Sequence, residues 1–92
     1  MVPAYYVYIL KCIDKRGNVS YYTGSTKDLY KRFREHESGK GARYTKGKDL
    51  ELVYYESYTS NTQARKREAE IKKWKQQKKM KLIESKECDD DG

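Results

Sequence analysis

The stretch AYYVYILKCIDKRGNVSYYTG, residues 4–24, decides how the rest of the chain must be built. Its first ten residues, AYYVYILKCI, are mostly aromatic, β-branched and aliphatic, follow Pro3, and stop at DKRGN, which carries the glycine and asparagine of a turn. A second run of the same character, VSYYTG, occupies residues 19–24. Two extended runs joined by about five turn-forming residues predict a β-hairpin. On paired antiparallel strands, residues of like parity share a face. Tyr6, Tyr8 and Leu10 are therefore expected on the side that carries Tyr22, with Tyr8 and Tyr22 as near neighbours.

Beyond Gly24 the apolar spacing changes. Leu29, Phe33 and His36 are separated by four and then three positions, one face of a helix, with Ser25 or Thr26 as its cap and Ser38-Gly39 as its stop. Gly24 is expected to turn the chain from strand into helix. Residues 40–47, KGARYTKG, are rich in glycine and cations and read as a surface loop, the most flexible element of the fold. LELVYYESY, residues 50–58, predicts a third strand, and Ser60-Asn61-Thr62-Gln63 is a capping box opening a long helix through Ala64, Ile71 and Trp74. A break near Lys75 and a short last helix carrying Met80, Leu82 and Ile83 complete one domain over residues 1–85. From Lys86 onward, KECDDDG offers nothing to bury and is expected to be a disordered acidic tail. The order β-β-α-β-α-α predicts an α+β fold, a small three-stranded antiparallel or mixed sheet flanked by helices.

A chain of 92 residues supports one small core. High charge and low hydropathy also suit disordered chains, but ten tyrosines, one tryptophan and clear periodicity argue for a fold. The net charge of +7 favours an anionic partner, nucleic acid being the commonest for a small basic domain, against the plainer alternative of a solvated lysine-rich surface. MVPAYYVYIL lacks the basic start and length of a secretion signal, and no run is long enough to span a bilayer. The expected location is the cytoplasm, associated with the nucleoid and without membrane contact. Cys12 and Cys88 form neither a disulfide framework nor a metal-ligand cluster.

Several motifs in this order resemble the GIY-YIG endonuclease superfamily, in its small single-domain branch, the UPF0213-like group. The resemblance covers roughly residues 5–83. Tyr6-Val7-Tyr8 occupies the first signature, with Tyr6 in place of the glycine, and Tyr22-Thr23-Gly24 the second, with threonine in place of isoleucine. Asp28-Leu29-Tyr30-Lys31-Arg32 and His36 follow, then GKGARYTKG at 39–47, then a glutamate-bearing helix over Ala64–Lys72. No three-residue piece is specific; the ordered set Tyr8, Tyr22, Gly24, Arg32, His36, Gly39, Gly41, Tyr44, Thr45 and Glu68 is.

The resemblance implies hydrolysis of phosphodiester bonds with one divalent ion, Mg²⁺ or Mn²⁺. It makes Glu68 the metal ligand, Arg32 the phosphate clamp, and Tyr8 and Tyr22 the pair around the attacking water, with Tyr8 the favoured general base. His36, one turn after Arg32, is placed to accept a proton from a tyrosine or to hold its hydroxyl. Lys27, Lys40, Arg43, Lys46, Lys48, Arg65, Arg67 and Lys72 are the expected contacts to a nucleic-acid backbone. The partner expected is DNA, single-stranded, branched or duplex, with RNA as an alternative, bound by a monomer acting in repair or on a mobile element. Taken without the resemblance, Glu68 reads as a surface ion pair with Lys72 four residues on, Arg32 as a solvated charge, and each tyrosine as a strand residue. Two rival functions stand beside the nuclease: a catalytically weak or inactive nucleic-acid-binding module on the same fold, and an adaptor domain that docks a larger protein.

Overall fold

The structure, a computed structural model, describes residues 4–90. Strands β1 (Tyr5–Ile13) and β2 (Val19–Thr26) form the expected hairpin. Its turn is tied by Asp14, whose carboxylate accepts the backbone N–H groups of Arg16 and Asn18 at 2.9 Å each, while Gly17 takes φ +86°. Strand β3 (Asp49–Tyr58) pairs with the other edge of β1, giving the order β2-β1-β3 with both pairings antiparallel, so the mixed-sheet option does not apply. Helix α1 (Leu29–Glu37) and a 3-10 turn (Arg43–Thr45) lie between β2 and β3; helices α2 (Asn61–Lys72) and α3 (Gln76–Asp90) follow β3. The α3 backbone runs past Lys86, where the sequence reading ends the domain, and the last two positions of the expected acidic tail, Asp91 and Gly92, lie outside the described residues. Among the described residues no helix is long and apolar enough to cross a membrane.

Central strand β1 is buried on both faces, which is why its sequence reads as a nearly continuous apolar run rather than an alternation. On one face Tyr8, Leu10 and Cys12 pack with Tyr22, Leu29, Phe33, Leu50 and Leu52, under α1. On the other, Val7 and Ile9 pack with Tyr54, Ala64, Ile71 and Ile83, under α2 and α3. By simple parity Tyr54 belongs with Leu50 and Leu52. A β-bulge changes this: Ile9 pairs with Tyr54 but Leu10 with Leu52, so Val53 is the extra residue and Tyr54 crosses to the opposite face.

Three local expectations need correction. Ser25 and Thr26 do not cap α1, because their backbone remains paired with Val7 and Tyr6 in the sheet; Asp28 is the cap, accepting the N–H of Lys31 at 3.1 Å. Gly24 lies inside β2 with no left-handed φ, so it is not the turn from strand to helix. Met80 is exposed; Leu82 and Ile83 carry the apolar contact of α3, and Lys79 occupies the remaining buried place. The stop at Ser38-Gly39 forms as expected, with Gly39 at φ +83°, as does the Ser60 cap, which accepts the Gln63 N–H at 3.5 Å.

Thr23 is 1% exposed, and its hydroxyl has no hydrogen-bond partner among the described residues. A buried orphan hydroxyl costs about 1–3 kcal/mol. Thr23→Val is therefore expected to stabilise the fold by about 1 kcal/mol, raising the thermal midpoint by about 5 °C. A melt that moves downward would mean that the hydroxyl has a partner after all.

Candidate active site

Tyr8 stands on β1 with 2% of its surface exposed, and its hydroxyl lies 2.8 Å from His36 Nε2 on α1. The ring reaches this position by passing over the β2 backbone at Gly24, its register partner. A Cβ on Gly24 would lie 2.6 Å from Tyr8 Cζ, well inside contact distance. Close approach of the Tyr8 ring, not backbone turning, is what requires glycine there.

His36 is itself 1% exposed, and its Nδ1 lies 2.8 Å from Thr45 Oγ1. That hydroxyl donates its only proton to the carbonyl of Ala42 at 3.0 Å, so toward His36 it can only accept. His36 thereby carries its proton on Nδ1, and the Nε2 lone pair receives the Tyr8 hydroxyl. Gly41 lies against the imidazole, where an added Cβ would be 2.7 Å from Cγ. Residues 40–47 are thus anchored on the site rather than a loose loop: Thr45 is 1% exposed and hydrogen-bonded on both sides. The anchor is polar, so it leaves no apolar pattern to read.

Burial pushes the His36 imidazolium below its ordinary value, and the Arg32 charge pushes the same way, so the ring is neutral near pH 7. Burial drives the Tyr8 phenol up to about 12 against the pull of Arg32, so the resting hydroxyl keeps its proton. Arg32 lies one helical turn before His36 with its guanidinium beside the phenol, and it bonds Glu35 Oε1 at 3.3 Å. An open groove of about 390 Å³ runs past it, lined by Ser25, Thr26, Lys27, Asp28, Lys31, Arg32 and Glu35.

Glu68 reaches the same region from the opposite face of the sheet, near enough for its charge to be felt by Tyr8. It shares one stripe of α2 with Ala64 and Ile71, both fully buried, and its side chain is 18% exposed. Oε1 accepts the Ser25 hydroxyl at 2.6 Å and Oε2 pairs with Lys72 Nζ at 2.8 Å. Burial raises the carboxyl pKa, but the bonds from Lys72 and Ser25 outweigh it and hold the group ionised below its usual range. Among the described residues no three His, Cys, Asp or Glu side chains gather as a metal cage. One ionised carboxylate, bonded to a serine that lines the groove, fits the sparse way Mg²⁺ is held, through one protein oxygen with water and substrate oxygens completing the shell.

The profile of the GIY-YIG catalytic domain matches residues 4–82, a span that holds every residue of this constellation. The chain belongs to the GIY-YIG family. Its relatives include the UPF0213 protein SERP0126 of Staphylococcus epidermidis, 48% identical over 81 residues that cover 87% of this chain and 94% of that one. The UPF0213 protein HQ_3675A of Haloquadratum walsbyi is 43% identical over 81 residues, 87% and 86% of the two chains. Among solved structures, the solution NMR structure of the UPF0213 protein BH0048 of Bacillus halodurans is similar with a TM-score of 0.53 and 39% identity, covering 90% of this chain and 85% of that one. The chain therefore sits in the UPF0213-like branch of the GIY-YIG family, on the expected α+β fold.

In this GIY-YIG chain the two signature tyrosines do different work. Tyr8 is hydrogen-bonded to His36, whereas Tyr22 packs by its ring, 5.2 Å from the His36 centroid and 6.5 Å from that of Tyr8. Tyr22 stacks at 6.0 Å on the exposed Tyr44, over whose ring Lys48 Nζ sits at 3.7 Å. The cations expected to bind a backbone are divided. Lys27, Lys40, Arg43, Lys46 and Arg65 are exposed, and Lys27 lines the groove beside Arg32. Arg67 is engaged elsewhere: its fork takes both oxygens of Glu56 at 3.0 and 3.1 Å, bonds Glu70 at 2.7 Å, and lies over Trp74. Lys72 is paired with Glu68. Lys31 and Arg34, which the sequence reading did not select, line a neighbouring open groove of about 490 Å³ with Tyr30 and Lys40. Ser25 and Thr45 also went unassigned. A carboxylate four after Ala64 and three before Ile71 was the one available sign that Glu68 faces inward.

Proposed function

We propose that this GIY-YIG protein is a divalent-metal-dependent endonuclease acting on DNA. The observation that carries the proposal is the buried chain Tyr8–His36–Thr45, because it orders a proton acceptor behind a phenol that faces Arg32. Strand packing alone does not require such an arrangement. Arg32 holds the phosphate oxygens from the groove with a planar fork that stays charged at any working pH. Tyr8 Oη takes a proton from the attacking water as its own proton passes to His36 Nε2, the new P–O bond forms as the P–O bond to the sugar breaks, the departing sugar oxygen is protonated from solvent, and Thr45 keeps the imidazolium in place. Glu68, whose oxygen Ser25 fixes, is the residue that would hold the metal. Bound there, Mg²⁺ or Mn²⁺ would supply positive charge to the reacting phosphate and acidify nearby water.

In the resting protein burial holds the phenol up to about 12 and the imidazole below its ordinary 6.5, so both groups rest neutral and the phenol does not pass its proton to His36 unaided. The second reading, a nucleic-acid-binding module with weak or no catalysis, is favoured by this resting state and by the two bonds that already occupy Glu68.

The deciding experiment is cleavage of end-labelled single-stranded, duplex and branched DNA and matched RNA with Mg²⁺, Mn²⁺ or chelator, beside Glu68→Ala and Arg32→Ala. The nuclease reading expects metal-dependent cuts, lost in Glu68→Ala with binding nearly intact, and loss of both cutting and binding in Arg32→Ala. Salt-sensitive binding with every substrate left whole would select the binding module.

A further inference from the structure

We propose that Lys72 is the free-state counter-ion of Glu68, a built-in competitor that a divalent cation displaces and that substrate phosphate draws away. The proposal rests on the reading of Glu68 as metal ligand. The side chain of Glu68 sits between two fully buried neighbours on its own helix, so a bare charge there would be costly. Its two oxygens are partnered by groups of opposite character. Ser25 is neutral, belongs to a paired strand, and can keep its 2.6 Å bond while a cation sits on the same carboxylate. Lys72 is charged, half exposed and on a flexible four-carbon stem, and at 2.8 Å from Oε2 its ammonium occupies space that a divalent ion needs. An ammonium and a divalent cation on one carboxylate also repel.

What lies behind Lys72 gives the exchange a direction. Lys79 on α3 is 7% exposed, its Nζ bonds the Tyr21 carbonyl at 3.4 Å, and burial first and the Lys72 charge second push its ammonium below the ordinary range. A displaced Lys72 ammonium is thus repelled from α3. Ser25, the other partner of Glu68, lines the groove it shares with Lys27 and Arg32, where a phosphate oxygen is a strong partner for an ammonium. Substrate that binds Lys72 frees Glu68 for metal, and metal that binds Glu68 frees Lys72 for substrate. By linkage the two affinities rise together by the same factor.

The test is titration of the full chain with Mn²⁺, followed by loss of the free-ion electron paramagnetic resonance signal. Lys72→Met and Lys72→Gln are expected to bind Mn²⁺ about tenfold tighter than the parent, a difference of about 1.4 kcal/mol. Lys66→Met, the same charge change at an exposed position of α2, controls for general electrostatics and is expected to move less than about twofold. Adding Glu68→Gln to Lys72→Met should erase the gain. A noncleavable phosphorothioate oligonucleotide should tighten Mn²⁺ binding in the parent and do so less in Lys72→Met. Equal affinities for the Lys72 and Lys66 variants, with Glu68→Gln still weakening Mn²⁺, would overturn the counter-ion role and leave the metal ligand standing. Mn²⁺ affinities indifferent to Glu68→Gln in every background would overturn both.

Discussion

Replacing Tyr8 by phenylalanine is expected to slow cleavage by about 10²–10⁴-fold, the usual worth of a positioned general base, with nucleic-acid binding nearly unchanged. The variant removes one oxygen and keeps the ring that packs with Leu10, Phe33 and Leu52. It leaves His36 Nε2 without its 2.8 Å partner in a buried place, a cost of about 1–2 kcal/mol, so rates have to be taken well below the melting transition. Tyr22→Phe is expected to do less, because the contacts of Tyr22 at the site are made by its ring. The pH profile carries the same logic. His36 must be neutral to receive the phenol proton, and its pKa lies below the ordinary 6.5. Single-turnover cleavage should therefore stay active as the pH falls to about 6.5 and decline only below it, as the imidazole takes up a proton. A Tyr8→Phe protein that cuts within a few-fold of the parent would remove the phenol from the mechanism.

The second large effect is expected from adding one methyl group, in Gly24→Ala or Gly41→Ala. Each new Cβ falls within 2.7 Å of a ring carbon, Tyr8 Cζ in one case and His36 Cγ in the other. Neither ring can retreat easily, since Tyr8 and His36 are buried and bonded to each other, and His36 is bonded again to Thr45. Overpacking of this kind costs about 2 kcal/mol, or about 10 °C in the melting temperature of a domain this small. Activity should fall further than stability does, because a shift of about 1 Å breaks the order of the proton chain. Thermal melts beside the cleavage rate check both parts. Parent-like melting in both alanine variants would show that the rings do not lie where this geometry has them.

Much of the fold was legible because it is encoded by local patterns. The hairpin comes from two apolar runs around DKRGN, α1 from the Leu29, Phe33 and His36 spacing, and the start of α2 from its capping box. The bulge at Val53 was not legible, since the sequence of β3 reads as a regular strand and the crossing of Tyr54 depends on which residues of β1 it pairs with. The Asp28 cap was missed for a related reason: sheet pairing with β1 keeps Ser25 and Thr26 extended, so the helix starts later than its first hydroxyl-bearing candidates.

By itself the sequence determined the composition of the candidate site. Tyr8, Tyr22, Arg32, His36 and Glu68 stand in an order that marks the GIY-YIG family, and short-range periodicity assigned each of them to a strand or a helix. Only the tertiary structure decided what these groups do to one another. Thr45, nine residues from His36, sets its tautomer; Ser25, forty-three residues from Glu68, fixes its carboxylate; Glu56 takes the fork of Arg67 with both its oxygens. The physical reason is range. Turn and helix preferences act between neighbours along the chain, whereas a hydrogen bond is made or lost over a few tenths of an ångström between segments that meet only when the two faces of the sheet are covered.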